Sequence, residues 1–355
     1  MNEMTSLQRV QAVMRGEVPD RLPVIPQNFL FCAFTAGYHI GQINRNPAKM
    51  ADSHRVCQEK YGYDGCVIDV DDATMAEACG ARVIYRDENV ATVDEHHPIL
   101  NDLRDIDNLH MPNPYKDGRI PLWLETTQRL MEKIGDHVFI MGRADQGPFS
   151  LLSLLRGTEN FMMDLITEDE ATIFHAMEWA TRAHTAFAKA QLAAGAHASS
   201  MGDAYASPNL ISPDMYVKFA LPYEKKATEQ LADTGKPYSV HICGNTSSII
   251  KQMGSIGCQI LEVDWQMDLG LARKLIDEKT ILMGNVNPSD PLVLGTPEAV
   301  SDLVRKCIDA TKGIRYIISS GCAMGENTKP ENMEALIRSA KLYGTYERLM
   351  ELQAQ

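Results

Sequence analysis

The chain lacks any run approaching the ~20 uninterrupted apolar residues that a membrane-spanning helix needs. Its first residues, MNEMTSLQRVQAVMRGE, lack the apolar centre of a secretion signal. Together these absences give the expectation of a soluble, cytoplasmic protein with no membrane partner. Basic charge is also short, with 34 Lys and Arg against 47 Asp and Glu and a formal net charge of −13. Phosphate contacts need clustered Lys and Arg, so no nucleic-acid partner is expected. Low-complexity tracts, long Gly/Ser linkers and internal repeats are missing too, and nothing marks a domain boundary. Residues 1–355 therefore read as one domain, preceded by an N-terminal helical extension within the same unit.

Cysteine is present without forming a scaffold. Cys32, Cys57, Cys66, Cys79, Cys243, Cys258, Cys307 and Cys322 are scattered along a long chain, which suits reduced thiols better than a disulfide framework. Nineteen Met residues read as filler for an irregular core.

With 45% apolar residues the chain can bury a large core, and its apolar runs are short and recurrent. Eight of them predict strands: 22–27, 65–70, 138–142, 198–201, 238–242, 259–263, 280–283 and 315–319. Segments of helical spacing lie between them, at 159–194, 214–233, 246–253 and 298–311. Eight strand and helix repeats predict an α/β fold, a closed (β/α)8 TIM barrel. Polar residues follow the predicted strands at Asn28, Asp71 and Asp72, Arg143 and Asp145, Asp203, Cys243, Asp264, Asn285 and Asn287, and Cys322. In such a barrel these positions ring one mouth, where the fold carries its active site.

The sharpest local signal is His241-Ile242-Cys243 at the end of the fifth predicted strand, since residues i and i+2 of a strand share a face. Cys322 closes the eighth strand in SSGCAMGENTKPEN. One His and two Cys suit Zn2+, and three protein ligands with an open fourth position mark a catalytic rather than a structural site.

HICGNT, GNVNP at 284–288, GTPEAV at 295–300 and SSGCAMGENTKPENMEAL together resemble the uroporphyrinogen decarboxylase superfamily. RLPV at 21–24, GPFSLLSLLRGTENFMMDL at 147–165 and LISPDMYVKFALPYEKK at 210–226 extend that resemblance over nearly the whole chain. Within the superfamily the chain looks like the corrinoid-dependent methyltransferases, and the resemblance implies a zinc ion held by His241, Cys243 and Cys322. The decarboxylase branch holds its tetrapyrrole with an Arg-rich N-terminal segment, whereas no Arg occurs here from 22 to 44. Asp71 matches the aspartate with which decarboxylases engage pyrrole nitrogens, and Glu77 is a candidate match to a glutamate of the methyltransferase branch.

The function expected is methyl exchange between a small substrate and the cobalt of a separate corrinoid protein, because the chain carries no corrinoid-binding DxHxxG motif. Phe29, Phe31, Phe34 and Tyr38 stand where decarboxylases have their basic cluster. Aromatic lining favours demethylation of a methoxylated aromatic. The alternatives are methylation of a thiol of coenzyme M type or of tetrahydrofolate by methylcobalamin, a decarboxylase-like lyase, and a barrel that only binds. Asn28, Phe31, Asp71, Asp145, Asp203 and Asp264 are the expected substrate contacts.

Overall fold

A computed structural model describes residues 3–354. Seven strands form one sheet in which every neighbouring pair is parallel. They are β1 (Gly65–Ile68), β2 (Phe139–Arg143), β3 (Ala198–Gly202), β4 (Tyr238–Ile242), β5 (Ile260–Val263), β6 (Ile281–Val286) and β7 (Tyr316–Ser320). Sheet order follows chain order, as repeated strand-helix crossovers dictate.

The first of the eight predicted strands, at 22–27, survives as a narrower feature that closes the ring. Ile25 donates its amide to the Ile318 carbonyl of β7 at 2.9 Å, and Ile318 donates to Pro23 at 2.9 Å. On the other side the Asp64 amide reaches the Val24 carbonyl at 2.7 Å. Pro23 and Pro26 have no amide to donate, so the segment makes one bridge to β7 and a single hydrogen bond toward β1, not a regular ladder.

Strand periodicity then decides what fills the barrel. Val67, Phe139, Met141, Ala198, Ile260, Ile281, Met283 and Ile317 meet in an inner apolar cluster with Ile25 and Phe29. Val10 and Val13 of α1 (Ser6–Arg15) complete that cluster, so α1 plugs the end where the strands begin. Arg9 of the same helix fixes the plug, with ion pairs of 2.7 Å to both Asp20 and Asp64, and Arg21 joins Asp64 at 2.7 Å. The alternate residues Tyr238, Val240, Ile242, Leu261, Val263, Leu282 and Ile318 face outward into the larger core under the helices.

Three helical expectations change in detail. The segment 159–194 is two helices, Thr158–Thr167 and Glu170–Ala193, because Asp169 caps the second by accepting from the Thr172 amide at 3.0 Å. The segment 214–233 contains a π-helical turn over Tyr216–Ala220 before Leu221–Leu231. Pro222 cannot donate to the carbonyl one turn earlier, which favours widening of the helix just ahead of it. The segment 246–253 is helical only over Ile250–Met253. No helix among the described residues is long and apolar enough to cross a membrane.

Candidate metal centre

Inward positions on the strands run from apolar at one end of the barrel to polar at the other. Phe139 and Met141 lead to Arg143, Ile260 leads to Glu262 and then Asp264, and Ser239 leads to His241 and then Cys243. This gradient gives the barrel a dry lower half and a polar mouth. The register places Gly202, His241 and Glu262 side by side across β3, β4 and β5.

His241 is buried, and its Nδ1 lies 3.1 Å from the Glu262 carbonyl oxygen. A carbonyl only accepts, so Nδ1 holds the proton and Nε2 is left as a donor of electrons. Nε2 lies 3.2 Å from Cys243 Sγ, and the two sulfurs of Cys243 and Cys322 are 3.7 Å apart. The ligand atoms of His241, Cys243, Cys322 and Asp264 all fall within 4.8 Å of one another. One imidazole, two sulfurs and a carboxylate around one point fit a borderline-soft divalent ion such as Zn2+.

The charge state of the group follows from its own contacts. The hydrogen bond from the Cys243 thiol, with help from His241, holds Cys322 well below the ordinary thiol range, while the same bond pushes Cys243 up. Burial alone would lower His241, but its hydrogen bond to Cys322 and the charge there raise it. Burial raises the Asp264 carboxyl.

Beneath the cluster, Arg143 pairs with Glu262 at 2.6 Å and stands 3.6 Å from Asp69, and Ser239 donates to Glu262 at 2.7 Å. This buried network was not among the expected contacts. Its signal in the sequence was a carboxylate inside an apolar strand, Glu262 in QILEV, which an unpaired strand would not tolerate.

The other expected contacts divide. Asp145 is buried at the mouth and accepts from the Gly202 amide, with its carboxyl pushed up to about 7 by burial. Asp71 borders the mouth cavity, yet Arg119 clamps both its oxygens at 2.6 and 2.9 Å, and Arg119 also pairs with Glu77 at 2.6 Å. Asp203 is fully buried, and its oxygens accept from the Phe149 and Ser150 amides at the start of helix Pro148–Arg156. Asn28 and Phe31 are likewise engaged by neighbouring side chains away from the metal cluster. The chain turns into α2 (Phe29–Thr35) directly after the first bridge, which carries Asn28 to Cys57 and stacks Phe31 against Tyr61. Phe34 is 56% exposed, and Tyr38 bonds Asp52. Of the four aromatics, only Phe29 lines the cavity at the mouth. Asn285 turns outward and holds the Asp264 loop, donating to the Asp264 and Met267 carbonyls at 3.1 and 2.7 Å.

The sequence profile of the family described as uroporphyrinogen decarboxylase matches residues 5–343. Methylcobamide:CoM methyltransferase MtbA of Methanosarcina acetivorans is 27% identical over 354 residues, spanning 97% of this chain and 99% of that protein. Methylcobamide:CoM methyltransferase MtaA of Methanosarcina barkeri is 26% identical over 355 residues, with the same two coverages. A solved methyltransferase from Methanosarcina mazei superposes with a TM-score of 0.86 at 26% identity, over 96% of this chain and 99% of that one.

Proposed function

This chain belongs to the uroporphyrinogen decarboxylase family, and from that membership we propose that it is a corrinoid-dependent methyltransferase carrying a methyl group from a methylcobamide to a thiol. The observation that carries the reading is the donor set of His241, Cys243, Cys322 and Asp264 around one point at the barrel mouth. The relatives named for methylcobamide and CoM favour the thiol direction over demethylation of a methoxylated aromatic. The aromatic lining on which that other direction rested is reduced to Phe29.

Zn2+ bound to His241, Cys243 and Cys322 supplies a Lewis acid that lowers the pKa of a substrate thiol. The protein's part is to hold that thiol and to exclude water from it. The Glu262 carbonyl fixes the imidazole so that Nε2 faces the sulfurs. Asp264 is a carboxylate within reach of the same point and is suited to take the thiol proton. Transfer of the methyl group from cobalt to sulfur would leave the electron pair of the carbon–cobalt bond on cobalt and give up the thiol proton, for which Asp264 is the acceptor at hand. A decarboxylase reading is disfavoured by Arg119, which occupies the carboxylate of Asp71 that a pyrrole would need.

The test is spectroscopic. Zinc-loaded protein with methylcobalamin and a thiol should convert methyl-Co(III) to Co(I), and Cys243→Ala with Cys322→Ala should not. Methylation of Co(I) by methoxylated aromatics, with no thiol-dependent demethylation, would reverse the proposed direction.

A further inference from the structure

Every cysteine of the chain is buried except Cys243 and Cys322. Those two are half-buried, and their sulfurs lie 3.7 Å apart. A disulfide bond is about 2.05 Å long, so an approach of less than about 2 Å would join them. Both residues stand beyond the end of a strand, Cys243 directly after β4 and Cys322 one glycine after β7. Side-chain rotation there breaks no ladder hydrogen bond. Ser207 holds the Cys243 carbonyl at 2.7 Å, so the closing movement falls on the side chains and not on the main chain.

The pair also has a route to solvent. A cavity of about 250 Å³ opens at the mouth, and Ala323, the neighbour of Cys322, forms part of its wall. Water takes up roughly 30 Å³, so a molecule the size of hydrogen peroxide fits that space. The other thiols lie in the core under the helices, where Cys32, Cys57 and Cys66 are wholly enclosed.

We propose that Cys243 and Cys322 are a reversible oxidation site, in which a peroxide joins the two sulfurs as a disulfide and so dismantles the metal centre. One thiolate attacks a peroxide oxygen, the O–O bond breaks, hydroxide leaves and the sulfur becomes a sulfenic acid. The second thiolate displaces that hydroxyl and forms the S–S bond. Two thiolates, one hydrogen peroxide and two protons give one disulfide and two waters, with one electron lost by each sulfur and two gained by the peroxide. Close spacing decides the outcome. A sulfenic acid with a second thiol beside it condenses to a disulfide, whereas one without a partner goes on to the irreversible sulfinic acid. The metal ligand is the thiolate, so the disulfide leaves only His241 and Asp264 to hold an ion. The inference rests on the assignment of these sulfurs as zinc ligands in the proposed function.

Zinc-loaded protein treated with hydrogen peroxide tests it, followed by zinc release to a colorimetric chelator, thiol count in denaturant and peptide mass spectrometry. Zinc should leave in step with the loss of two thiols from the eight of the reduced chain. The cross-link should join the peptides that contain Cys243 and Cys322, and a dithiol with fresh zinc should restore both thiols and metal. In Cys243→Ser the same treatment should carry Cys322 to a sulfinic acid that the dithiol does not reverse. Zinc release without a cross-link, a cross-link between other cysteines, or retention of zinc and all thiols overturns the inference and leaves the metal reading standing. Metal-free protein separates the two: a Cys243–Cys322 cross-link in a chain that takes up no zinc overturns the metal reading and leaves the oxidation site.

Discussion

His241 and Glu262 are register partners on neighbouring parallel strands, and the backbone carbonyl of Glu262, 3.1 Å from His241 Nδ1, sets which imidazole nitrogen faces the two sulfurs. The tautomer is thus fixed by main chain that no side-chain substitution removes. Wild-type protein should therefore contain one zinc per chain by elemental analysis. Cys243→Ser combined with Cys322→Ser should retain less than about a tenth of it, because hydroxyl oxygens are poor replacements for thiolates at a soft site. Full zinc retention in that double variant would place the ion elsewhere.

The Glu262 side chain has a separate task. Glu262→Gln removes the carboxylate charge that Arg143, 2% exposed, pairs with, and leaves as its nearest carboxylate Asp69 at 3.6 Å. Removing one partner of a buried ion pair costs about 3–5 kcal/mol. Urea unfolding should show a loss of that size, and a loss below about 1 kcal/mol would mean that the pair is wet or already relaxed.

Barrel topology and the His241–Cys243 pair were legible because each depends on short-range pattern, whereas Cys322, 79 residues further on, was drawn in by its place at a strand end and by the family resemblance. Apolar runs of strand length name the strands, and HxC on one strand face names a ligand pair. The contacts that were not legible depend on which way a side chain leaves the backbone. Asn28 follows an apolar run as Asp264 does, but the helix that starts at Phe29 swings it into the outer core. Asp203 sits at the same place on its strand as Cys243 does on the next, and two helix amides claim it.

Glu224 provides a pH test. It is fully buried, accepts from the Tyr216 hydroxyl at 2.6 Å, and leaves Oε1 without a partner. Burial, with the nearby charge of Asp203, pushes its carboxyl up to about 8 from an ordinary 4.5. A raised folded-state pKa means that the folded protein holds the proton more tightly than the unfolded chain. This contribution to stability is complete below pH 4.5 and is lost as pH rises through about 8. Glu224→Gln keeps the shape without the charge, so its melting temperature should rise relative to wild type between pH 6 and pH 9. A constant difference across that range would remove Glu224 from the titration.

Gly321 sits where β7 meets the Cys322 loop. A Cβ added there would lie 2.3 Å from the Trp265 amide nitrogen, a backbone atom that cannot swing aside. Gly321→Ala should push the Asp264–Trp265 turn away from Cys322. Zinc affinity, measured by competition with a chelator, should weaken by about ten-fold or more, with a smaller change in global stability. Unchanged affinity would show that the turn can move without disturbing the ligands.

Because α1 stoppers the barrel where the strands begin, the described residues leave the mouth as the doorway to the interior. On the proposed function, a corrin ring that presents its methyl group to the cluster would stand in that doorway. In the proposed reaction a thiol held at the cluster lies beneath the corrin, so it has to be seated before the cobamide arrives, and the methylated product leaves only after the cobamide withdraws. Order of arrival is then a property of the plug: steady-state patterns should be sequential with the thiol binding first, and excess cobamide should inhibit by shutting the thiol out.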